Sequence, residues 1–260
     1  MSGPLARVTF LGTGTSHGVP MIGCDCRTCT SPDPRDSRLR PSVLVDLPSG
    51  GRLLVDAAPD LRTQALRHGL RRVDAILFTH AHADHVMGLD ETRRFSAIQG
   101  GPLPCYGSPD TVEEIRRVFA YAFREGQAGG GVPRLELNGV RGPFEAAGWP
   151  VTPVPILHGT LPIYGYRIGR FAYLTDCSEI PEASWPLLEG VETLVVDALR
   201  ERPHPTHFNV GQALAAIARV RPRRALLTHI SHDLRHEEAS RRLPAGVELA
   251  YDGLMLEVEA

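Results

Sequence analysis

Lysine is missing from this 260-residue chain: all 28 basic residues are arginine. That absence removes Schiff-base catalysis and the lysine of a phosphate-binding P-loop. Arginine, alanine, glycine and proline are plentiful, which points to genomic base composition as the cause. No run approaches about 18 uninterrupted apolar residues, so no membrane span is expected. The opening MSGPLARVTFLGTG lacks the basic, apolar and small-residue series of a signal peptide. An excess of one charge is missing too. The net charge is −2 with no strongly basic block, so no nucleic-acid surface is expected. Cysteines number five, an odd count with three crowded together, which makes no disulfide framework. A reducing cytoplasm is the expected compartment. The length suits one domain over 1–260, without a linker or internal repeat.

What is present is organised around residues 73–85, VDAILFTHAHADH. Residues 73–78 are apolar apart from Asp74 and read as a buried strand. His80, His82, Asp84 and His85 follow within six residues. Four metal-competent side chains in one turn are costly to bury unless something binds them. His80 and His82 are two apart and need a non-helical turn, unlike the i, i+4 pair of a helical zinc protease. Asp84 and His85 are adjacent and expected to point apart, which suits a second ion. A plain surface histidine cluster is opposed by the buried strand that feeds it.

The rest of the chain reads as an α/β protein. Strands are expected at 5–11, 42–47, 52–56, 103–106, 134–138, 149–157, 163–168, 171–175, 192–197, 224–228, 247–250 and 254–258. Helices are expected at 60–68, 88–97, from Ser108 to about 123, and from Asn209 to about 219. GTGTSHGVP has the wrong spacing for a dinucleotide loop and reads as a tight glycine turn. The glycine-rich stretch 126–132 reads as a linker or a border of the site. Arg93 and Arg94 read as solvated surface residues in preference to substrate-steering ones. His158, Asp176 and His229 each directly follow a strand, as His80 nearly does. Separate strands thus bring coordinating groups to one rim, where loops build sites.

GCDCRTC places Cys24, Cys26 and Cys29 within six residues, enough to face one tetrahedral ion, and thiolates favour zinc. A redox CxxC would open a helix, whereas Pro32 and Pro34 follow here. His232, three residues beyond His229, is the candidate fourth ligand of a structural Cys₃His zinc.

THAHADH matches the HxHxDH signature of the metallo-β-lactamase superfamily, and the chain resembles its members. The resemblance implies an αββα sandwich, two β-sheets packed face to face with helices outside, and two divalent ions, zinc or manganese. It implies that His80, His82 and His158 hold one ion, that Asp84, His85 and His229 hold the other, and that Asp176 bridges them. A hydroxide shared by the ions would be the nucleophile. PHPTHFNVGQAL places His207 twenty-two residues before His229, like the late histidine that phosphodiesterase members use beside the leaving group. His207 and Asp84 are therefore the expected catalytic side chains. CDCRTC with the later THISH resembles the PhnP-type cyclic phosphodiesterase branch, which implies hydrolysis of a small phosphodiester such as a cyclic ribose phosphate or nucleotide. A PqqB-like oxidative enzyme, a ribonuclease Z-like RNA phosphodiesterase and a non-catalytic metal-binding scaffold are the alternatives. The ribonuclease reading needs an RNA-gripping arm between His158 and Asp176, which are only eighteen positions apart. The expected partner is the small substrate, without membrane or nucleic acid, and a homodimer is compatible with this reading.

Overall fold

In the computed structural model, residues 4–124 and 131–260 are described, so most of the 126–132 stretch lies outside the described residues. The first half of the chain builds one sheet. Its strands are Leu5–Gly12 (β1), Ser42–Asp46 (β2), Arg52–Val55 (β3), Ala75–Leu77 (β4), Leu103–Gly107 (β5) and Leu135–Gly139 (β6). The second half builds the other, from Phe144–Ala146 (β7), Trp149–His158 (β8), Leu161–Ile168 (β9), Phe171–Leu174 (β10), Thr193–Asp197 (β11), Arg224–Thr228 (β12) and Val247–Leu249 (β13). The last strand, Met255–Glu259 (β14), returns to the first sheet and pairs antiparallel with β1. The sheet orders are β14-β1-β2-β3-β4-β5-β6 and β13-β12-β11-β10-β9-β8-β7.

Three apolar layers follow from this order. Val8, Val43, Val45 and Leu53 of the first sheet meet Tyr166, Phe171, Tyr173 and Val195 of the second in the central layer. Outside the first sheet, Leu61–Arg67 (α1), Arg93–Gln99 (α3) and Pro109–Val118 (α4) cover Leu54, Ile76 and Cys105. Outside the second, Val210–Val220 (α5) and His236–Ser240 (α6) cover Leu194, Val196 and Leu227. The result is an αββα sandwich, as the sequence resemblance implied. The two sheets are also stitched by hydrogen bonds: Tyr166 Oη donates to Phe78 O at 2.8 Å and Tyr164 N to Thr79 O at 3.0 Å.

Strand direction decides where the site forms. β3 to β6 run parallel, and so do β10 to β13. β8 is antiparallel to β9 and β9 to β10, so β8 shares the direction of β10. The C-terminal ends of β8, β10, β11 and β12 therefore lie on one edge of the second sheet.

Several local expectations are corrected. Residues 88–97 form a 3₁₀ turn, Leu89–Thr92, before α3. The helix capped by Ser108, whose Oγ accepts from Thr111 N at 3.1 Å, ends at Val118, and Ala120–Phe123 is 3₁₀. β7, α6 and the one-turn helix Ala83–Val86 (α2) were not expected, because each is too short to show a period. The glycine turn is as tight as its composition suggested: a Cβ on Gly12 would stand 1.9 Å from Arg40 O. Arg93 pairs with Asp90 at 2.9 Å on the surface. No helix among the described residues is long and apolar enough to cross a membrane.

Candidate metal centre

β4 ends below Thr79, and the next seven residues form the floor of the site. His80 is buried, His82 is exposed, and α2 then turns Asp84 and His85 inward. Asp84 and His85 do not point apart as expected. Asp84 Oδ2 lies 3.3 Å from His85 Nε2, because the single helical turn lets the short acid and the long imidazole converge. His158 closes β8, Asp176 follows β10, and His229 follows β12. Asp176 and His229 adopt φ of 55° and 58°, backbone that non-glycine residues rarely take. So does Asp56, at the end of β3, with φ 63°.

The donor atoms gather in two sets. Those of His80, His82 and His158 lie within 4.8 Å of one another, as do those of Asp84, His85, Asp176 and His229. Asp176 also lies within that reach of His158 and His207, so its carboxylate stands between the sets. His85 Nε2 is 3.1 Å from Asp176 Oδ2, and His229 Nε2 is 3.3 Å from Asp176 Oδ1. About 3.3 Å is the separation of two ligands on one tetrahedral ion with bonds of about 2.0–2.1 Å. Nε2 of His80, His85 and His229 is buried without a hydrogen-bond partner among the described residues. Orphaned imidazole nitrogens at that spacing fit divalent cations.

The opposite ring nitrogens are held. His80 Nδ1 lies 3.0 Å from Thr79 Oγ1, His85 Nδ1 2.7 Å from Asp56 Oδ2, and His158 Nδ1 donates to Thr206 O at 2.8 Å. A donor bond at Nδ1 leaves the Nε2 lone pair for a metal and fixes the ring. Thr175 Oγ1 donates to Asp176 Oδ2 at 2.7 Å and fixes that carboxylate. Electrostatics agree. Burial alone would raise Asp84 and Asp176, but the adjacent histidines hold both well below the usual carboxylate range. Burial lowers His229, yet Asp176 and Asp84 outweigh it and push the ring up to about 9. A divalent cation would replace the protons that these carboxylates otherwise hold on His85 and His229.

His207 sits beside both sets. Its Nδ1 lies 2.8 Å from Asp197 Oδ2, and its ring is 4.7 Å from the rings of His158 and His229. Burial and the neighbouring His229 lower it to about 4. Burial raises the Asp197 carboxyl well above its ordinary range.

A third cluster stands apart. Nδ1 of His232 is 3.2, 3.6 and 3.5 Å from the sulfurs of Cys24, Cys26 and Cys29. Those distances match a sulfur and a nitrogen on one tetrahedral zinc, about 3.5 Å apart. The Cys29 backbone N–H lowers the Cys26 thiol to about 7, and burial raises Cys29 to about 11. Gly14 forms a bridge with Ile230, and Thr15 N donates to Ile230 O at 3.1 Å, so the glycine turn that leads into the cysteine loop is fastened directly beside His229.

The "Beta-lactamase superfamily domain" profile matches residues 51–230. A crystal structure described as a new diphosphatase from the PhnP family has 46% sequence identity and a TM-score of 0.91, covering 98% of this chain and 97% of that one. The chain belongs to the PhnP family of the metallo-β-lactamase superfamily. An octanoyltransferase of Porphyromonas gingivalis is 40% identical over 252 residues, 95% of this chain. The chain spans about half the length of that relative, 51%. Zinc-bound PqqB from Methylobacterium extorquens is 20% identical with a TM-score of 0.78, covering 96% and 99% of the two chains, a likeness of fold.

Within this PhnP-family chain the residues expected from sequence come together: seven at the rim, four around the sulfurs, and His207 against the rim. Asp56, Thr79 and Asp197 were missed as site residues. A signal existed for two of them, since Asp56 and Asp197 each end a buried apolar strand, the same grammar that exposed Asp176.

Proposed function

We propose that the protein is a phosphodiesterase that hydrolyses a small phosphodiester, a cyclic ribose phosphate or a nucleotide being the candidate class. His80, His82 and His158 would hold one divalent ion, and Asp84, His85 and His229 the second. Asp176 would touch both, and Cys24, Cys26, Cys29 and His232 would hold a structural zinc. Zinc and manganese both suit the mixed imidazole and carboxylate rim. Such ions supply a nucleophile from water at neutral pH and stabilise charge on phosphoryl oxygens.

The observation that carries the phosphoester reading is the Asp197–His207 pair, 2.8 Å apart against both histidine sets. Asp197 holds Nδ1, leaving Nε2 for the substrate. Burial and His229 keep the ring neutral at first, and an anionic phosphodiester arriving beside it favours the protonated form. As the P–O bond to the leaving group breaks and water's oxygen joins phosphorus, Nε2 gives its proton to the departing oxygen. Thr79, Asp56, Thr206 and Thr175 hold the other side chains in register meanwhile.

A screen of cyclic and linear phosphodiesters with zinc or manganese restored tests this reading. Cleavage is the expected result, and its absence across the fully loaded protein would remove it. A second reading, cleavage of a diphosphate, is favoured by the 46% identity to the PhnP-family diphosphatase. Oxygen consumption without phosphoester cleavage would instead support a PqqB-like reaction.

A further inference from the structure

On the outer face of the first sheet, a groove of about 410 Å³ lies between α1 and α3. Its shape has a local origin. Gly69, with φ 58°, follows α1 in the left-handed conformation and turns the chain, so that Leu70 N donates to Ala65 O at 2.8 Å. Leu70 is thereby buried with Leu61 of α1 and Phe95 of α3, and the three give the groove an apolar floor. Leu66 forms the lip and is 67% exposed, an unusual place for a leucine beside an apolar recess.

Charge surrounds that floor unevenly. Arg62 of α1, Arg71 of the turn and Arg94 of α3 line the groove against a single carboxylate, Glu91. Their neighbours in sequence are matched, Arg93 with Asp90 at 2.9 Å and Arg72 with Asp74 at 2.6 Å. None of the three lining arginines has a carboxylate within 4.0 Å among the described residues. The lining therefore combines a positive surplus with an apolar floor.

That combination selects an amphiphile. A wholly apolar ligand would leave the guanidinium groups without a counter-charge, and a small inorganic anion would leave the leucines and Phe95 wet. Guanidinium forks pair bidentately with carboxylates, and the volume falls within the usual range of small-molecule sites, about 300–1,000 Å³. A membrane surface would call for a protruding apolar face, whereas this floor is recessed. We propose that the groove between α1 and α3 binds a small amphiphilic anion, a medium-chain carboxylate, with its tail on Leu61, Leu70 and Phe95 and its head among the three arginines. The groove shares no residue with the histidine–carboxylate rim or the cysteine cluster, so this ligand is additional to the substrate, and the proposal stands independently of the hydrolytic reading.

Calorimetric titration of decanoate into the full-length, metal-loaded protein, below its micelle-forming concentration, tests the proposal. Wild-type protein is expected to bind decanoate, and to bind butyrate and decanol about tenfold or more weakly, since one lacks the tail and the other the charge. Arg94→Glu and Leu66→Asp should each weaken decanoate about tenfold or more, and Arg94→Lys should keep part of the affinity. Met255→Asp, at a residue 60% exposed on β14 and outside the groove, should bind as wild type does. Should Arg94→Glu fail to fold, Arg62→Glu carries the same comparison. Undiminished binding by both groove variants would seat the carboxylate elsewhere, as on the metals of the rim, and overturn the proposal. No binding to the wild type at millimolar decanoate would overturn it too. So would co-sedimentation with phosphatidylglycerol vesicles by a protein that ignores free decanoate, which would make this patch a membrane-facing surface.

Discussion

Asp56 lies outside both sets of converging donor atoms, yet it accepts from Thr79 N and Thr79 Oγ1, both at 2.9 Å, and faces His85 Nδ1 at 2.7 Å. Removing it frees the His85 ring to rotate and change tautomer. Asp56→Ala should therefore weaken binding of the ion beside Asp84 by roughly 10–100-fold, read by metal titration. Unchanged affinity would mean that α2 alone fixes His85. His207 makes a different prediction. His207→Ala should lower kcat by about 10²–10⁴-fold with metal content intact, since a general acid contributes that much. The deficit should shrink on nitrophenyl esters, whose leaving group scarcely needs a proton. An equal loss on activated and unactivated substrates would take the acid role away.

At the scale of elements, legibility followed length. β12 and α5 announced themselves, since buried apolar runs and a helical period over eleven residues are hard to mistake. α2 did not: four residues carry no period, and the tertiary position of His85 against Asp56 fixes their conformation. The partners of the histidine ring nitrogens were illegible for a related reason, even where a strand end marked the residue. Nothing local in residues 52–56 says that their last carboxylate meets an imidazole twenty-nine positions later. The cap of α5 was read correctly, and the structure adds its reciprocal half. Asn209 Oδ1 accepts from Gln212 N at 2.8 Å, while Gln212 Oε1 accepts from Asn209 N at 3.0 Å. Asn209→Ala should cost about 1 kcal/mol in a denaturation experiment. Because the cap of α5 lies two residues after His207, the same variant tests whether that histidine depends on the helix start.

At the scale of the whole molecule, the proposed donor sets would hold three ions per chain. Elemental analysis of Cys26→Ser should find one zinc fewer and a lower unfolding midpoint, because a structural site contributes folding free energy. Asp84→Ala should lose metal from the rim and keep the zinc beside the cysteines. Loss of the cysteine-bound zinc alone in Asp84→Ala would mean that the two kinds of site are exchanged. The sandwich itself was readable from HxHxDH and the strand spacing. The path of β14 back to the edge of the first sheet was not, since no local signal carries a pairing between residues 5 and 259.

That return path has a consequence for biosynthesis. The histidines of α2 and its approach leave the ribosome early, as does the cysteine loop. Their partners are His229 and His232, and Arg38, which donates to Ala250 O at 2.6 Å, waits longer still. A nascent chain stopped before residue 229 can complete neither the second rim set nor the cysteine set. Those two sets are completed only when the residues after β12 emerge, and a chain stopped before them leaves thiols and imidazoles unmated and exposed to the cell's quality control.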